Sequence, residues 1–194
     1  MIKIPAVIFS TPRTGSSALG HYLLRNNNIT DAKYFNEPEY TDKMKNFVDY
    51  FHSNKNFIIK FHYGNLHKYP QELQDYFLSD NTFKISIRRR DLIKQIVSSY
   101  IAICRDRKWL FWKDESHSYD NDIIPLDIEK LDYSITTVNY FNDKLNQSNI
   151  KFDLEYYYED LDLSISDYVM TPQPQNYLEV IEFVKSKIGA DGGI

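Results

Sequence analysis

Short apolar runs alternate with segments of helical periodicity along this chain. Val7, Ile8 and Phe9 form the middle of the first run. Runs of this length that are rich in β-branched and aromatic residues predict buried strands, whereas apolar residues three and four positions apart predict amphipathic helices. The predicted strands cover residues 4–10, 56–61, 82–87 and 150–156. The predicted helices cover residues 16–25, 42–52, 69–78, 91–112, 126–145 and 176–188, with a polar loop over residues 113–125.

The order of these elements predicts an α/β fold. Alternating strands and helices are typical of a parallel sheet that helices cover on both faces, so we expect three layers around a central parallel sheet. No internal repeat or clean boundary interrupts the pattern. We therefore expect a single domain over residues 1–188, followed by a flexible glycine-rich tail over residues 189–194. Ligands of such folds bind beyond the carboxyl ends of the strands.

Composition narrows the function classes. The 194 residues carry a formal net charge of −4, which argues against a nucleic-acid partner because dedicated nucleic-acid binders are normally basic. Cys104 is the only cysteine, so no intrachain disulfide can form, and a reducing, cytoplasmic location is expected. No segment approaches the length and apolarity of a membrane span, so no membrane partner is expected either.

The turn after the first predicted strand has the features of an anion site. It consists of Thr11, Pro12, Arg13, Thr14, Gly15, Ser16 and Ser17, and a helix begins at its end. Backbone N–H groups at a helix start, together with the helix dipole, favour a bound anion of phosphate or sulfate size. Arg13 adds a full positive charge, and Gly15 permits close approach of the backbone. The alternative is an ordinary capped turn. The turn is not a Walker A motif, which requires a Lys directly before its Ser or Thr.

A second anion motif follows the third predicted strand. Arginines occupy positions 88–90, and Asp91 can cap the next helix. Ser98 lies on the polar face of that helix, about two turns from Arg90. An arginine and a hydroxyl in this arrangement can bind a phosphate that is not transferred. The alternative is a solvated helix face beside a surface cluster of arginines.

Two residues are candidates for a general base. His62 follows Lys60 and Phe61 at the end of the second predicted strand, and a histidine with a near-neutral pKa suits proton transfer. Glu37 lies among aromatic residues after the first helix, where partial desolvation would raise the pKa of its carboxyl. Each residue also has a purely structural interpretation, and the sequence leaves both candidates open. We interpret residues 157–161 as structural, bracing the end of the sheet.

These motifs together resemble those of sulfotransferases that use 3′-phosphoadenosine-5′-phosphosulfate. The run from Pro12 to Ser17 resembles their 5′-phosphosulfate-binding loop, and the spacing of Arg90 and Ser98 resembles their 3′-phosphate motif. Arg-Arg-Asp followed by Gln and Ser looks particularly like the bacterial carbohydrate sulfotransferases. The cytosolic members carry Lys-x-His at a strand end, and some carbohydrate members place a Glu base near the position of Glu37. The resemblance covers residues 6–161.

The resemblance implies a core like that of the P-loop nucleotide kinases and an enzyme that needs no metal. The implied co-substrate is 3′-phosphoadenosine-5′-phosphosulfate, and the implied acceptor is a hydroxyl, for example of a carbohydrate, or an amine on a small molecule. Pro12, Arg13, Thr14, Gly15, Ser16 and Ser17 would hold the 5′-phosphosulfate, and Arg90 and Ser98 the 3′-phosphate. Arg13 and Lys60 would stabilise the leaving group, with His62 or Glu37 as base.

Two other functions remain as alternatives. A P-loop-type nucleotide kinase would need a Lys in the loop and an Asp at a strand end to hold magnesium. A non-catalytic nucleotide-binding module would bind the donor and transfer nothing.

Overall fold

The computed structural model describes residues 2–26, 32–38, 43–105, 122–161 and 173–190. Five strands occur in this part of the chain: β1 (Ala6–Ser10), β2 (Lys33–Asn36), β3 (Phe57–His62), β4 (Phe83–Arg88) and β5 (Leu154–Tyr157). The α-helices are α1 (Ser16–Asn26), α2 (Lys43–Ser53), α3 (Gln71–Leu78), α4 (Leu92–Cys104), α5 (Ile128–Asn146) and α6 (Tyr177–Ala190). Short 3₁₀ helices cover Tyr63–Lys68 and Tyr158–Asp160.

The strands form one sheet in the order β2-β3-β1-β4-β5. All four neighbouring pairs are parallel, and β1 lies in the centre between β3 and β4. The predicted α/β fold with a central parallel sheet flanked by helices is therefore confirmed. Parallel strands bring all their carboxyl ends to one edge of the sheet, and the segments that follow the strands meet there.

Side-chain alternation gives the sheet two apolar faces. One face packs against α1 through Leu19 and Leu23, and its strand residues are Ala6, Ile8, Ile58, Ile85 and Ile87. The opposite face packs against α2 and α3, and its strand residues are Val7, Phe9, Phe57, Ile59 and Phe61. Helices on both faces produce the three layers, and the alternation determines which polar residues at the strand ends share a face.

The chain divides into two compact units. The first comprises Met1–Arg90 and Tyr140–Ser166 and includes the whole sheet. The second comprises Asp91–Asn139 and Asp167–Ile194, where α4, α6 and the first part of α5 share an apolar cluster around Val97 and Val184. The single domain over residues 1–188 stays a prediction. None of the described helices combines the length and the apolarity needed to cross a membrane.

Several elements differ from those that the pattern predicts. Strand β2 was not predicted, because it has four residues and Phe35 alone among them is buried. Helix α4 ends at Cys104 with Arg105 as its C-cap, and the predicted continuation over residues 106–112 lies outside the described residues. The predicted helix start at residue 42 and most of the loop over residues 113–125 lie outside the described residues. Helix α6 includes Gly189 and Ala190, and the remainder of the predicted tail also lies outside them.

A matched pair of leucines tests the core. Leu73 on α3 is 2% exposed and packs in the aromatic cluster, whereas Leu178 on α6 is 76% exposed. We expect Leu73→Ala to lower the free energy of unfolding by about 2–5 kcal/mol, because it removes buried methyl groups and leaves a cavity. The same change at Leu178 should stay within about 0.5 kcal/mol. Urea denaturation followed by circular dichroism measures both, and equal losses would contradict the placement of Leu73.

Candidate functional site

The carboxyl ends of three neighbouring strands bring the predicted site residues together. Ser10 of β1 is level with His62 of β3, and Asn36 of β2 is level with Lys60. After β1 the chain continues to β2 at one edge of the sheet, whereas after β4 it continues to β5 at the opposite edge. The connections that follow the neighbouring strands β1 and β4 therefore run in opposite directions. Ligands of open parallel sheets bind in the crevice that such a reversal creates outside the carboxyl ends. The turn after β1 lies at this crevice, and the end of β3 is next to that turn, on the other side of β1.

Lys60 and His62 lie on the same face of β3, because residues two apart in a strand point the same way. Ile58, two positions earlier, packs with α1, so both polar side chains lie on the α1 side of the sheet. The Nζ atom of Lys60 is 3.5 Å from Nε2 of His62. The Lys60 side chain is only 2% exposed, and a buried ammonium requires a nearby opposite charge.

Glu37 supplies that charge. Its backbone N–H donates to the carbonyl of Lys60 at 2.8 Å, so the residue continues the ladder between β2 and β3. One carboxylate oxygen, Oε1, accepts a hydrogen bond from the ammonium of Lys60 and lies 3.1 Å from Nε2 of His62. Glu37 has a φ of 46°, in the left-handed region, where a residue with a Cβ costs roughly 1 kcal/mol or more. The turn that aims this carboxylate is therefore strained.

The surroundings of Glu37 and His62 shift the pKa values of both groups. Burial opposes ionisation of Glu37, but the charges and hydrogen bonds of Lys60 and His62 outweigh it, so the pKa of Glu37 lies far below its usual value. For His62, burial lowers the pKa, and the positive charges of Lys60 and Arg13 lower it further. The Glu37 carboxylate raises the pKa of His62 but offsets only part of this effect. Near neutral pH the cluster therefore contains an ionised Glu37 and a neutral His62.

The contact with Glu37 also determines the tautomer of His62. A carboxylate only accepts hydrogen bonds, so Nε2 must carry the proton when it donates to Oε1. In the neutral ring the lone pair then lies on Nδ1. The ring of Phe141 on α5 packs edge-on against the imidazole, with centroids 5.3 Å apart, and restricts its orientation. The lone pair that can accept a proton therefore lies on Nδ1, an atom with almost no exposed surface.

The turn after β1 is closed by its own side chains. Thr14 Oγ1 donates to the carbonyl of Thr11 at 2.9 Å, and α1 begins at Ser16. Arg13 has a φ of 62° and Gly15 a φ of 69°, so the backbone is left-handed on both sides of Thr14. Alternating backbone conformations of this kind turn successive N–H groups inwards and form anion-binding concavities. Arg13 also lies within electrostatic range of His62.

Asn36 and Arg89, to which the sequence analysis gave no role, hold this turn in place. Ser17, on the first turn of α1, donates to Asn36 Oδ1 at the end of β2 at 3.1 Å. On the other side, Arg89 Nη1 donates to the carbonyl of Arg13 at 3.3 Å. The alternation of side chains along β4 could have predicted the side of the sheet on which Arg89 lies. Ile85 and Ile87 lie on the α1 face, and position 89 continues that series. Pro12 is half-buried and Ser16 is buried.

Arg90 already has anionic partners. Its guanidinium forms a two-pronged pair with Asp160, with both N–O distances 2.6 Å, and lies 4.1 Å from the centre of the Tyr157 ring. Its backbone N–H donates to the Glu159 carboxylate. The hydrogen bond from Arg90 lowers the pKa of Asp160. Residues 157–160 thus contact the end of β4. Ser98 is half-buried on α4 in the second unit, whereas Arg90 belongs to the first.

The first unit therefore combines an anion-binding turn with a cation, a fixed carboxylate and a neutral imidazole. This arrangement can hold an anionic group and accept a proton beside it. Within the described ranges, no group of three or more His, Cys, Asp or Glu side chains is placed to hold a metal ion. No protein-family model matches the chain, and no curated protein matches it.

A titration of His62 tests the electrostatics of the cluster. We expect Glu37→Gln to lower the pKa of His62 further, because it removes the charge and the hydrogen bond that raise this pKa while burial, Lys60 and Arg13 remain. Glu155→Gln is the matched control, since Glu155 is an exposed carboxylate beside Arg88. The ring resonances of His62 followed by NMR against pH give both midpoints. A rise in Glu37→Gln, or equal shifts in the two variants, would contradict the contact.

Proposed function

We propose that this chain is a sulfotransferase that moves a sulfuryl group from 3′-phosphoadenosine-5′-phosphosulfate to an acceptor hydroxyl or amine. The observation that carries the proposal is the meeting of two motifs at one edge of the sheet. The anion-binding turn begins directly after Ser10, and Ser10 is level with His62. A group held by the turn would therefore lie beside a buried cation and a neutral imidazole.

The donor would occupy the crevice at the carboxyl ends of the central strands. In this proposal Arg13 and the N–H groups of residues 12–17 hold the 5′-phosphosulfate. Arg90 binds the 3′-phosphate, and the sequence motif adds Ser98 to that role. A sheet with the anion turn after its central strand also supports a core like that of the P-loop nucleotide kinases, which belongs to the same proposal. A phosphate reaching Arg90 would share or exchange its contact with Asp160.

The transfer is an in-line displacement at sulfur. The acceptor oxygen or nitrogen bonds to the sulfur, and the bond from sulfur to the oxygen that bridges it to phosphorus breaks. Negative charge grows on that bridging oxygen, where Arg13, the turn N–H groups and Lys60 stabilise it. The proton of the acceptor passes to His62, and adenosine 3′,5′-bisphosphate leaves. Removing one preorganised donor of this kind typically costs about 3 kcal/mol of barrier.

The electrostatics favour His62 over Glu37 as the base. Lys60 and His62 stabilise the ionised form of Glu37 and lower its pKa, so the carboxylate is a weak base. The lowered pKa of His62 leaves the ring neutral at physiological pH and ready to accept a proton. Glu37 then has a positioning role, since it fixes the tautomer of His62 and neutralises Lys60.

Kinase chemistry has less support. The acidic residues beyond β4 and β5 that a kinase would use for magnesium are Asp91, Glu159 and Asp160. Asp91 accepts the N–H of Lys94 as a helix cap, and Asp160 pairs with Arg90. The cation of the turn is an arginine that precedes the glycine.

A ligand panel separates the candidate functions. We expect adenosine 3′,5′-bisphosphate to raise the melting temperature without magnesium, because arginines and N–H groups bind its phosphates directly. ATP and GTP should raise the melting temperature less, with or without magnesium. Differential scanning fluorimetry measures the shifts. Stabilisation by ATP and magnesium alone would instead support the kinase. Binding of the bisphosphate without transfer to any acceptor in a broad panel would support the non-catalytic module.

The pH dependence of transfer tests the base. Protonated His62 cannot accept a proton, so the rate should fall as pH drops through the pKa of His62. That pKa is lowered from its usual value of about 6.5, so the rate should be at its plateau at pH 7. His62→Gln should lose roughly a hundredfold in rate together with the acid limb. His67→Gln, a change at an exposed histidine on the neighbouring 3₁₀ helix, is the control.

Single-turnover rates at saturating donor, measured against pH, give the profiles of the wild-type protein and of each variant. A His62→Gln variant that retains the wild-type rate and acid limb, beside an inactive Glu37→Gln variant, would assign the base to Glu37.

A further inference from the structure

We propose that Arg89 is the positioning residue of the anion-binding turn, and that it holds Arg13 in the left-handed conformation from which the turn binds its ligand. The inference rests on the proposed function, because it assigns the 5′-phosphosulfate to this turn. Arg89 lies between two other arginines, and its contacts set it apart from both.

The guanidinium of Arg89 is held from several directions. Its side chain is only 13% exposed, and its centre lies 4.6 Å from the centre of the Tyr158 ring. Its Nε atom is 3.7 Å from a carboxylate oxygen of Glu159, and Nη1 donates to the carbonyl of Arg13 at 3.3 Å. A stacked, paired and buried guanidinium has little rotational freedom. Arg89 therefore connects the segment after β5 to the turn after β1 through a rigid group.

The contact with Arg13 fixes the backbone of the turn. In a trans peptide the carbonyl and the following N–H lie in one plane and point in opposite directions, so a hydrogen bond to the Arg13 carbonyl fixes the whole peptide plane. Thr14 itself is buried, and the residues on both sides of it are half-buried. Arg13 has a left-handed φ of 62°, a conformation that a non-glycine residue keeps only when its surroundings enforce it. The hydrogen bond from Arg89 is one such constraint, and the bond from Thr14 Oγ1 to Thr11 is another.

The neighbouring arginines provide matched comparisons. Arg88 donates from Nη1 to Asn146 Oδ1 at 2.6 Å, on the other side of the strand. Arg90 pairs with Asp160 and has the 3′-phosphate role in the proposal. Substituting each arginine by glutamine removes the same charge from the same short segment. Differences among the three variants therefore report on contacts and not on net charge.

The test compares three nucleotides by isothermal titration calorimetry without magnesium. The ligands are adenosine 5′-phosphate, adenosine 3′-phosphate and adenosine 3′,5′-bisphosphate. We expect Arg89→Gln to weaken the two ligands with a 5′-phosphate about tenfold, since it removes a charge-assisted hydrogen bond that holds their site. Adenosine 3′-phosphate should change less than about twofold. Arg90→Gln should show the opposite selectivity, and Arg88→Gln should change none of the three more than about twofold.

A conservative variant separates positioning from charge. Arg89→Lys keeps the charge but lacks the planar fork and the stack on Tyr158, so we expect it to recover only part of the lost affinity. Full recovery would mean that charge alone matters and would overturn the positioning role. Equal losses for the 5′- and 3′-phosphates in Arg89→Gln would overturn it too, because a general structural defect has no such selectivity.

A nucleotide-independent readout keeps the two proposals distinguishable. Inorganic sulfate titrated into the wild-type protein should shift the backbone amide resonance of Gly15, which is half-buried, and this shift should be lost in Arg89→Gln and kept in Arg88→Gln. If sulfate behaves in this way but no nucleotide binds, the positioning role stands and the proposed function fails. If the bisphosphate binds and Arg89→Gln matches Arg88→Gln in both measurements, the proposed function stands and the positioning role fails. A wild-type protein that binds neither probe would overturn both.

Discussion

The buried ammonium of Lys60 is the constraint on which the candidate site depends. An unpaired charge at 2% exposure would be costly, and β3 places Lys60 on the α1 face of the sheet. Its counter-charge must come from a neighbouring strand end, and Glu37 at the end of β2 provides it. The same carboxylate then holds the imidazole of His62. One electrostatic requirement thus places three chemical groups, and the pKa values of Glu37 and His62 depend on this arrangement.

Backbone strain occurs at the same edge of the sheet. Among the described residues other than glycine, Glu37 and Arg13 are those with positive φ. Such conformations persist only where surrounding contacts enforce them. For Glu37 the contacts are the ladder bond to Lys60 and the ion pair, and for Arg13 they are the closed turn and Arg89. Both strained residues carry charged side chains that act on the pKa of His62, so the cost of the strain supports preorganisation of charge.

Periodicity predicted much of this structure and some of the site. Strands β1, β3 and β4 were recognisable because each buries several residues, whereas β2 buries only Phe35 and gave no comparable signal. Lys60 and His62 were recognisable as site candidates because they lie at the end of a predicted strand. Their contact with Glu37 was not predictable, since it depends on β2 pairing with β3 across 23 residues of chain. The sequence analysis expected partial desolvation to raise the pKa of Glu37. The pKa is lowered instead, because Lys60 and His62 outweigh burial.

The acidic partners explain how a chain with a net charge of −4 keeps several cations at one edge of its sheet. Lys60 has Glu37, Arg89 has Glu159 and Arg90 has Asp160. These pairs differ in burial, and burial determines how readily an incoming anion can replace the carboxylate. Arg90 and Asp160 are both more than half exposed, and water and salt screen exposed pairs, so a phosphate can displace Asp160 at little cost. The Lys60 ammonium is buried, and separating it from Glu37 would leave an uncompensated charge. In the proposed reaction the Arg90 pair is therefore exchangeable, whereas the Lys60 pair persists through the catalytic cycle and orients the base.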